Sequence, residues 1–600
     1  MKKFLIVVLV LAAAVTAAFF VVKKAMLHRP QAAELVPADT ILFAQIPDTL
    51  TSVKRFRKTA IWKILQEPEV QEMFDHSEKA QPLFAGWERF AWLLPREGFV
   101  AVTSIDGAMP KFIAGFAFSG RQKDAEALAS EWREPLRQSH PAGRGDLTTH
   151  GSHEIETFTD KDFTIVESIG NGWYLIGDDF ALLESTLDRI DGKPAASPSL
   201  ATSAAFHRAT APLPDAPDAI LVAQLGTLIE RLASLMVAAG QQNDPKEFDE
   251  LKKTESIAIS TKLDGDLCRD TIFLLHPGNS AEAPLARNAM ALSSAATLLY
   301  YAMALPPSLD LPEQSAGMLA LIPGWDALNQ TLAGKNLALT DLPKAFGPEF
   351  TSLFDWPKGA ETPGGIIAVD VRDREKAAAF VDLLTGGAVG SVPWEKQQQD
   401  DVDIFTAPPG EFGAITPAVA LSGKFALVGL NAAGVMQSLA QLKTTEGRLD
   451  ATPDFATAAK TVTAPTSGFG YIDARAMFER LYGVLKPMLA GGLAFAPEAG
   501  QYMDAGKMPA AEVIGQHLGP IVYSQANTAQ GTLIESTGPL TFNQILAGAA
   551  IGAVVAGIPA LDTALSNGSL GLNPNDLLKN LGNPPPPGES PPSVQEPESR

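Results

Sequence analysis

Apolar and polar residues along this chain alternate in short runs that switch between the two-residue period of a strand and the 3.6-residue period of a helix. ILFAQI at 41–46 reads as a strand. In SVKRFRKTAIWKILQ, which follows, Val53, Phe56, Ala60, Ile61, Ile64 and Leu65 share one helical face, predicting one amphipathic helix over 52–66. FVAVTSI at 99–105 and KFIAGFAF at 111–118 predict two more strands, and RQKDAEALASEWREPLRQ a helix. Alternation returns through HEIETF, FTIVES and WYLIG, and Gly177 then precedes a helix at FALLESTLDRI. ILVAQL predicts a strand and 226–238 a helix. The Asp264-Gly265 pair predicts the turn of a closing hairpin, whose central residues need positive φ. Runs of strands broken by helices, without strict βα alternation, predict an α+β fold with mainly antiparallel sheets and packed helices.

The same succession occurs twice. ADTILFA at 38–44 matches AATLLYY at 295–301, a separation of 257, and FVAVTSI matches FTSLFDW at 350–356, a separation of 251. FIAGFAFSGRQKDAEAL at 112–128 matches GIIAVDVRDREKAAAFV at 365–381, 253 residues on. NGWYLIG from Asn171 matches SGKFALVG from Ser422, separated by 251, and DAILVAQLGTLIERL at 218–232 matches SGFGYIDARAMFERL at 467–481, separated by 249. SIAISTKLDGDLCRDTIFLL from Ser256 resembles GPIVYSQANTAQGTLIES from Gly519. These matches predict two tandem related units, 31–276 and 294–540, with a linker at 277–293. Residues 285–302 also read as one continuous helix, which would break the first match.

Two stretches are too apolar for either unit. The run over 4–22 opens on Phe4, closes on Val22 and has Thr16 as its only polar side chain. At about 1.5 Å per residue it spans roughly 28 Å, close to the ~30 Å hydrocarbon core of a bilayer. With Lys2 and Lys3 before it and Lys23 and Lys24 after it, it predicts a transmembrane signal-anchor within 1–30. A cleaved signal peptide, cut among the small residues 12–18, is the competing reading. Within an Ala/Gly-rich region at 541–565, residues 545–561 carry a Gly548/Gly552 pair of G-x-x-x-G type. They read either as a second span or as a small-residue helix buried in protein. The Pro-rich remainder, 566–600, predicts a disordered tail.

Composition narrows the partners. Sixty-eight acidic against 47 basic residues give a formal charge of −21, which argues against nucleic acid as the main partner. A single cysteine, Cys268, excludes an intramolecular disulfide and a Cys-based zinc site. An acidic body behind a short basic tail predicts the bulk of the chain outside the cytoplasm, periplasmic or extracellular; in a bacterium with two membranes that means the periplasm.

VPADTILFAQIPD, followed by RFRKTAIWKILQEPEVQEMF, resembles bacterial envelope proteins of, or near, the domain-of-unknown-function family 3352. The resemblance covers 37–276 directly and the second unit more weakly, where Pro-Ala-Asp has become Ser294-Ala295-Ala296. It implies a membrane segment and a long extracytoplasmic region, and it brings no catalytic residues with it.

Motifs that mark chemistry are absent: no G-x-x-x-x-G-K-[ST], no H-E-x-x-H and no G-x-S-x-G. The Gly468-Phe469-Gly470 triplet reads as close backbone packing. His150, His153 and Glu154, with His140 nearby, form the candidate metal set, since imidazole and carboxylate suit zinc if they converge. Asp401 and Asp403 read as one solvated strand face, and Asp178 and Asp179 as helix caps. The most informative surface feature is basic: Lys54, Arg55, Arg57, Lys58 and Lys63 accompany Trp62 on the first amphipathic helix. Such a face suits anionic lipid or an acidic envelope protein. Together these readings predict a membrane-anchored binding or scaffold protein without a cofactor. A carboxylate- or His-metal hydrolase of the envelope is the alternative, and a lipid-surface binder the second alternative.

Overall fold

The computed structural model describes residues 30–74, 93–105, 110–161, 163–194, 197–238, 253–277, 282–307, 325–360, 363–386, 392–410, 415–493 and 505–544. The apolar stretches at 4–22 and 545–561 lie outside the described residues. Among the described residues no helix is long and apolar enough to cross a membrane.

The fold is α+β, built on one large antiparallel sheet with several helices. Its first ten strands are β1 (Leu42–Ile46), β2 (Pro95–Ser104), β3 (Lys111–Phe118), β4 (Arg144–His150), β5 (His153–Thr159), β6 (Thr164–Gly170), β7 (Trp173–Gly177), β8 (Ala219–Ala223), β9 (Ser256–Asp264) and β10 (Leu267–Leu275). The next ten are β11 (Thr297–Ala304), β12 (Phe346–Asp355), β13 (Gly364–Val371), β14 (Glu395–Gln399), β15 (Val402–Thr406), β16 (Ala418–Leu421), β17 (Phe425–Gly429), β18 (Gly468–Asp473), β19 (Pro520–Thr528) and β20 (Gly531–Gly538). In the first ten, β4-β5-β6-β7-β3-β2-β1-β8-β9-β10 are neighbours in that order. The second ten follow the same order, β14-β15-β16-β17-β13-β12-β11-β18-β19-β20. The halves then meet edge to edge. β10 pairs with β20 from Cys268↔Gly538 to Leu275↔Gly531, so a single sheet runs through both.

Helices occupy matching places. In the first half they are α1 (Ala32–Leu35), α2 (Thr49–Phe56), α3 (Ala60–Gln66), α4 (Pro68–Phe74), α5 (Gln122–Ser139), α6 (Phe180–Ile190), α7 (Ala204–Thr210) and α8 (Leu225–Ala238). In the second they are α9 (Trp325–Gly334), α10 (Leu342–Ala345), α11 (Arg374–Thr385), α12 (Ala432–Gln441), α13 (Pro453–Ala458), α14 (Ala474–Leu493) and α15 (Ala511–Gly515). Thus α5 and α11 each link the third strand of a half to its fourth, and α6 and α12 each follow its seventh. The first core gathers Phe43, Phe99, Ile113, Ile155, Trp173 and Leu183, with Phe99 edge-on to Trp173 at 5.8 Å. The second gathers Tyr300, Leu353, Ile366, Phe425 and Phe469. An acid anchors the segment entering each half, half-buried Glu97 in the first and buried Glu349 in the second. Glu97 accepts the Ala32 N–H at 3.0 Å, and Glu349 those of Arg287 and Asn288 at 2.8 and 2.9 Å.

Several expectations need correction. The basic stretch is not one helix: the first segment ends at Phe56, and Thr59 caps the second, its Oγ1 accepting the Trp62 N–H at 3.3 Å. The hairpin turns one residue later than expected, at Gly265-Asp266, because Asp264 still pairs with Leu267 and Gly265 takes φ +62°. Residues 285–302 are not one helix but a 3-10 turn at Asn288–Leu292 leading into β11. Leu285, Ala289, Met290 and Leu292 from that stretch are buried in the second core. Asp401 lies in the turn before β15, while Asp403 sits in the strand, paired with Lys396 at 3.5 Å. Gly468 and Gly470 do pack closely: a Cβ on Gly470 would lie 3.3 Å from Tyr523 and 3.5 Å from Tyr301.

Candidate functional site

The candidate histidines sit at the β4–β5 turn, where Gly151 (φ +60°) lets His150 and His153 face each other across the ladder. They do not converge on one point. His150 lies 3.0 Å from Glu184 Oε1 through Nδ1 and 2.9 Å from Asp188 Oδ1 through Nε2, both on α6. His153 is buried and reaches Asp191 Oδ1 at 2.9 Å. His140 pairs with Asp160, and Glu154 is exposed opposite Thr149. The hydrogen bond to Asp188 favours the charged imidazolium and lifts His150 above its ordinary 6.5. Lys193, then His150, hold Asp188 below the usual carboxylate range. Burial alone would raise Asp191, but hydrogen bonds from His153 and Lys193 outweigh it and lower the acid. The arrangement is an ion-pair network fastening the turn to α6. Among the described residues no three or more His, Cys, Asp or Glu side chains gather to hold a metal.

The acid pairs have structural duties. Asp179 caps α6 by accepting the Leu182 N–H at 2.8 Å, while Asp178 accepts the Phe112 N–H of β3 at 2.8 Å.

The basic residues divide. Arg55 turns inward, its Nη1 3.2 Å from Asp218, a carboxylate only 4% exposed that also accepts Ser52 Oγ–H and the Leu263 N–H. Lys63 pairs with Asp266 at the β9–β10 turn. Arg57 lies over the Trp62 ring, 5.8 Å from its centroid, and Trp62 stands edge-on to Phe56. Lys54, Arg57 and Lys58 face solvent. The structure therefore leaves Lys54, Arg57 and Lys58 exposed beside a half-buried Trp62, and ties the half-buried Arg55 to Asp218.

No motif marked the cavity of about 440 Å³ in the second half. Its floor is sheet: Ile367 and Val369 of β13, Val419 of β16, and Ala426 and Val428 of β17. Ile367 stands opposite Val428 and Val369 opposite Ala426, so alternate residues put one apolar face toward the space. Phe380, Val381, Leu383 and Leu384 of α11 cover it, and Leu342, Pro343 and Phe346 close one side. All sixteen lining residues are apolar. Ile367 and Val428 remain 42% exposed, so the space opens to solvent. A volume of this size falls within the roughly 300–1,000 Å³ of small-molecule sites. A second trough of about 470 Å³, over β1, β2, β8 and β9, mixes apolar residues with Gln45, Ser260 and Thr261. The apolar cavity could have been suspected only by setting the two halves in register, since no single residue in it is unusual.

Among solved structures, three crystal forms of TP0453 match part of the chain. Form III gives a TM-score of 0.22 and 11% identity over 41% of this chain and 79% of that one. Form IV gives 0.23 and 10% over 40% and 79%, and form I gives 0.22 and 11% over 42% and 80%. At such TM-scores the likeness carries no argument. No family model matches the chain, and no curated protein matches it.

Proposed function

We propose that this chain is a binding or scaffold protein of a bacterial envelope, anchored through residues 4–22, with two copies of one ten-strand unit outside the cytoplasm. The observation that carries the binding reading is the apolar cavity. Its sixteen lining residues include no acid, base, nucleophile or metal ligand, so it can hold a molecule and has no group to transform one. The repeated pairing order supports the two-copy reading. The hydrolase alternative loses support where His150 and His153 are each engaged by carboxylates. The lipid-surface alternative keeps the exposed Lys54, Arg57 and Lys58 with the half-buried Trp62 beside them, and predicts salt-sensitive binding to anionic vesicles. The test is crosslinking in membranes with the tagged full chain, followed by mass spectrometry of what co-purifies. A reproducible envelope protein, glycan or lipid, absent from a tagged control, is expected. Recovery of this chain alone would sink the reading.

A further inference from the structure

The two halves can be compared residue by residue through their ladders. Ile113 faces Gly177 between β3 and β7, as Ile366 faces Gly429 between β13 and β17. Phe116 opposite Tyr174 therefore corresponds to Val369 opposite Ala426. Between β6 and β7, Glu167 faces Ile176 as Val419 faces Val428 between β16 and β17. Helix starts align Arg121 with Asp373, which sets Trp132 of α5 against Leu384 of α11. Those two sites are similarly exposed, at 48% and 46%.

In the first half these positions form a plug. Phe116 and Tyr174 pack with ring centroids 5.3 Å apart, and Trp132 stands edge-on to both, at 6.3 and 5.9 Å. Tyr174 Oη donates to Glu167 at 2.8 Å, and Glu167 pairs with Arg133 at 2.8 Å. The space left there is about 90 Å³. In the second half all four plug residues are aliphatic, and the space is about 440 Å³. Emptying a packed site is destabilising unless something fills it. The same fold thus has a plugged version and an opened one.

Cations flank one wall of the opening. Arg372 Nη1 donates to the carbonyl of Pro343 at 3.1 Å and lies against Gly347, beside the lining residues Pro343 and Phe346. Its guanidinium also favours the charged form of the Asp370 carboxyl, and the Arg372 residue is exposed. Lys344 follows on the same turn, where it pairs with Asp341.

We infer that the second half binds one long-chain carboxylate, its unbranched hydrocarbon chain in the cavity and its anionic head beside Arg372. This inference rests on the binding reading above and names its ligand. An entirely apolar lining offers no hydrogen bond to hold a polar ring, so affinity has to come from hydrocarbon burial. The head group, which must stay out of that lining, finds its opposite charge on the Pro343 side.

The experiment is calorimetric titration of the full chain with octanoate, laurate and palmitate, with hexadecanol as the uncharged comparison. Affinity should rise about fourfold per added methylene, the factor for burying one CH₂. Hexadecanol should bind at least several-fold more weakly than palmitate. The double substitution Val369→Phe with Ala426→Tyr rebuilds part of the plug and should abolish binding. Leu384→Trp, at the half-exposed rim, should weaken it with the thermal transition unchanged, which covers the case where the double variant does not fold. No palmitate binding, binding indifferent to chain length, hexadecanol as tight as palmitate, or full binding by folded Leu384→Trp would each overturn the inference. Loss of acyl binding beside a reproducible crosslinked partner would overturn the ligand and leave the binding or scaffold reading intact. Loss of both would remove both.

Discussion

His150 couples one side chain to pH. Its folded value is raised, so the fold holds its proton more tightly than the unfolded chain does. The stabilisation is therefore fully present below the ordinary 6.5 and is lost as pH rises through the raised folded value. His150→Ala should lower the melting temperature at pH 5.5 and change it little well above the raised value. Thermal unfolding of both forms across that range checks it, and an equal loss at every pH would contradict it. Glu349 makes a different prediction. It is buried and accepts two backbone N–H groups, from Arg287 and Asn288. Glu349→Ala should cost on the order of 3 kcal/mol in urea unfolding, and Glu349→Gln less, because an amide oxygen still accepts. At this scale the sequence was legible where chemistry is local. Asp179 was readable as a cap because a cap depends only on the residues that follow it. The pairing of Arg55 was not readable, because Asp218, its partner, lies 163 residues away.

At the scale of elements, period alone found most strands and the helices α5 and α6. It missed the break at Thr59, since Val53, Phe56, Ala60 and Ile64 keep one face across the cap. A side-chain oxygen taking the Trp62 N–H competes with helix continuation, and the hydrophobic pattern does not record that competition. The outer strands show a second element-level device. Among the described residues β4 (RGDLTTH) and β14 (EKQQQ) end the sheet, and every residue of β14 is exposed. Charged and polar side chains on an edge discourage pairing with another chain. Replacing Glu395, Gln397 and Gln399 together with Val should therefore drive self-association. Light scattering after size exclusion would show it, and a monodisperse triple variant of unchanged mass would refute the idea.

At the scale of the whole molecule, the β10–β20 ladder makes the two halves one sheet, with Ile272 opposite Ile534 and Phe273 opposite Leu533. Asp270 at that seam accepts from Thr261 and from Thr541, tying both halves to one carboxylate. Single-tryptophan versions retaining Trp173 or Trp394 should report the same urea midpoint, since neither half can unfold without baring the other's edge. Two separated midpoints would mean that the seam does not couple them.

The sequence by itself determined most of the element types and the α+β class, because strand and helix periods and caps are properties of neighbouring residues. Tertiary structure alone decided which faces meet. Matching NGWYLIG and SGKFALVG from their first residues, 251 apart, sets Tyr174 against Phe425. The ladder instead sets Trp173 against Phe425 and Tyr174 against Ala426. Strand side chains alternate, so a slip of one residue moves each to the opposite face of the sheet. That slip conceals the exchange of an aromatic plug for small aliphatic residues. Hydrogen-bond register between distant strands is what brings the exchange, and with it the cavity, into view.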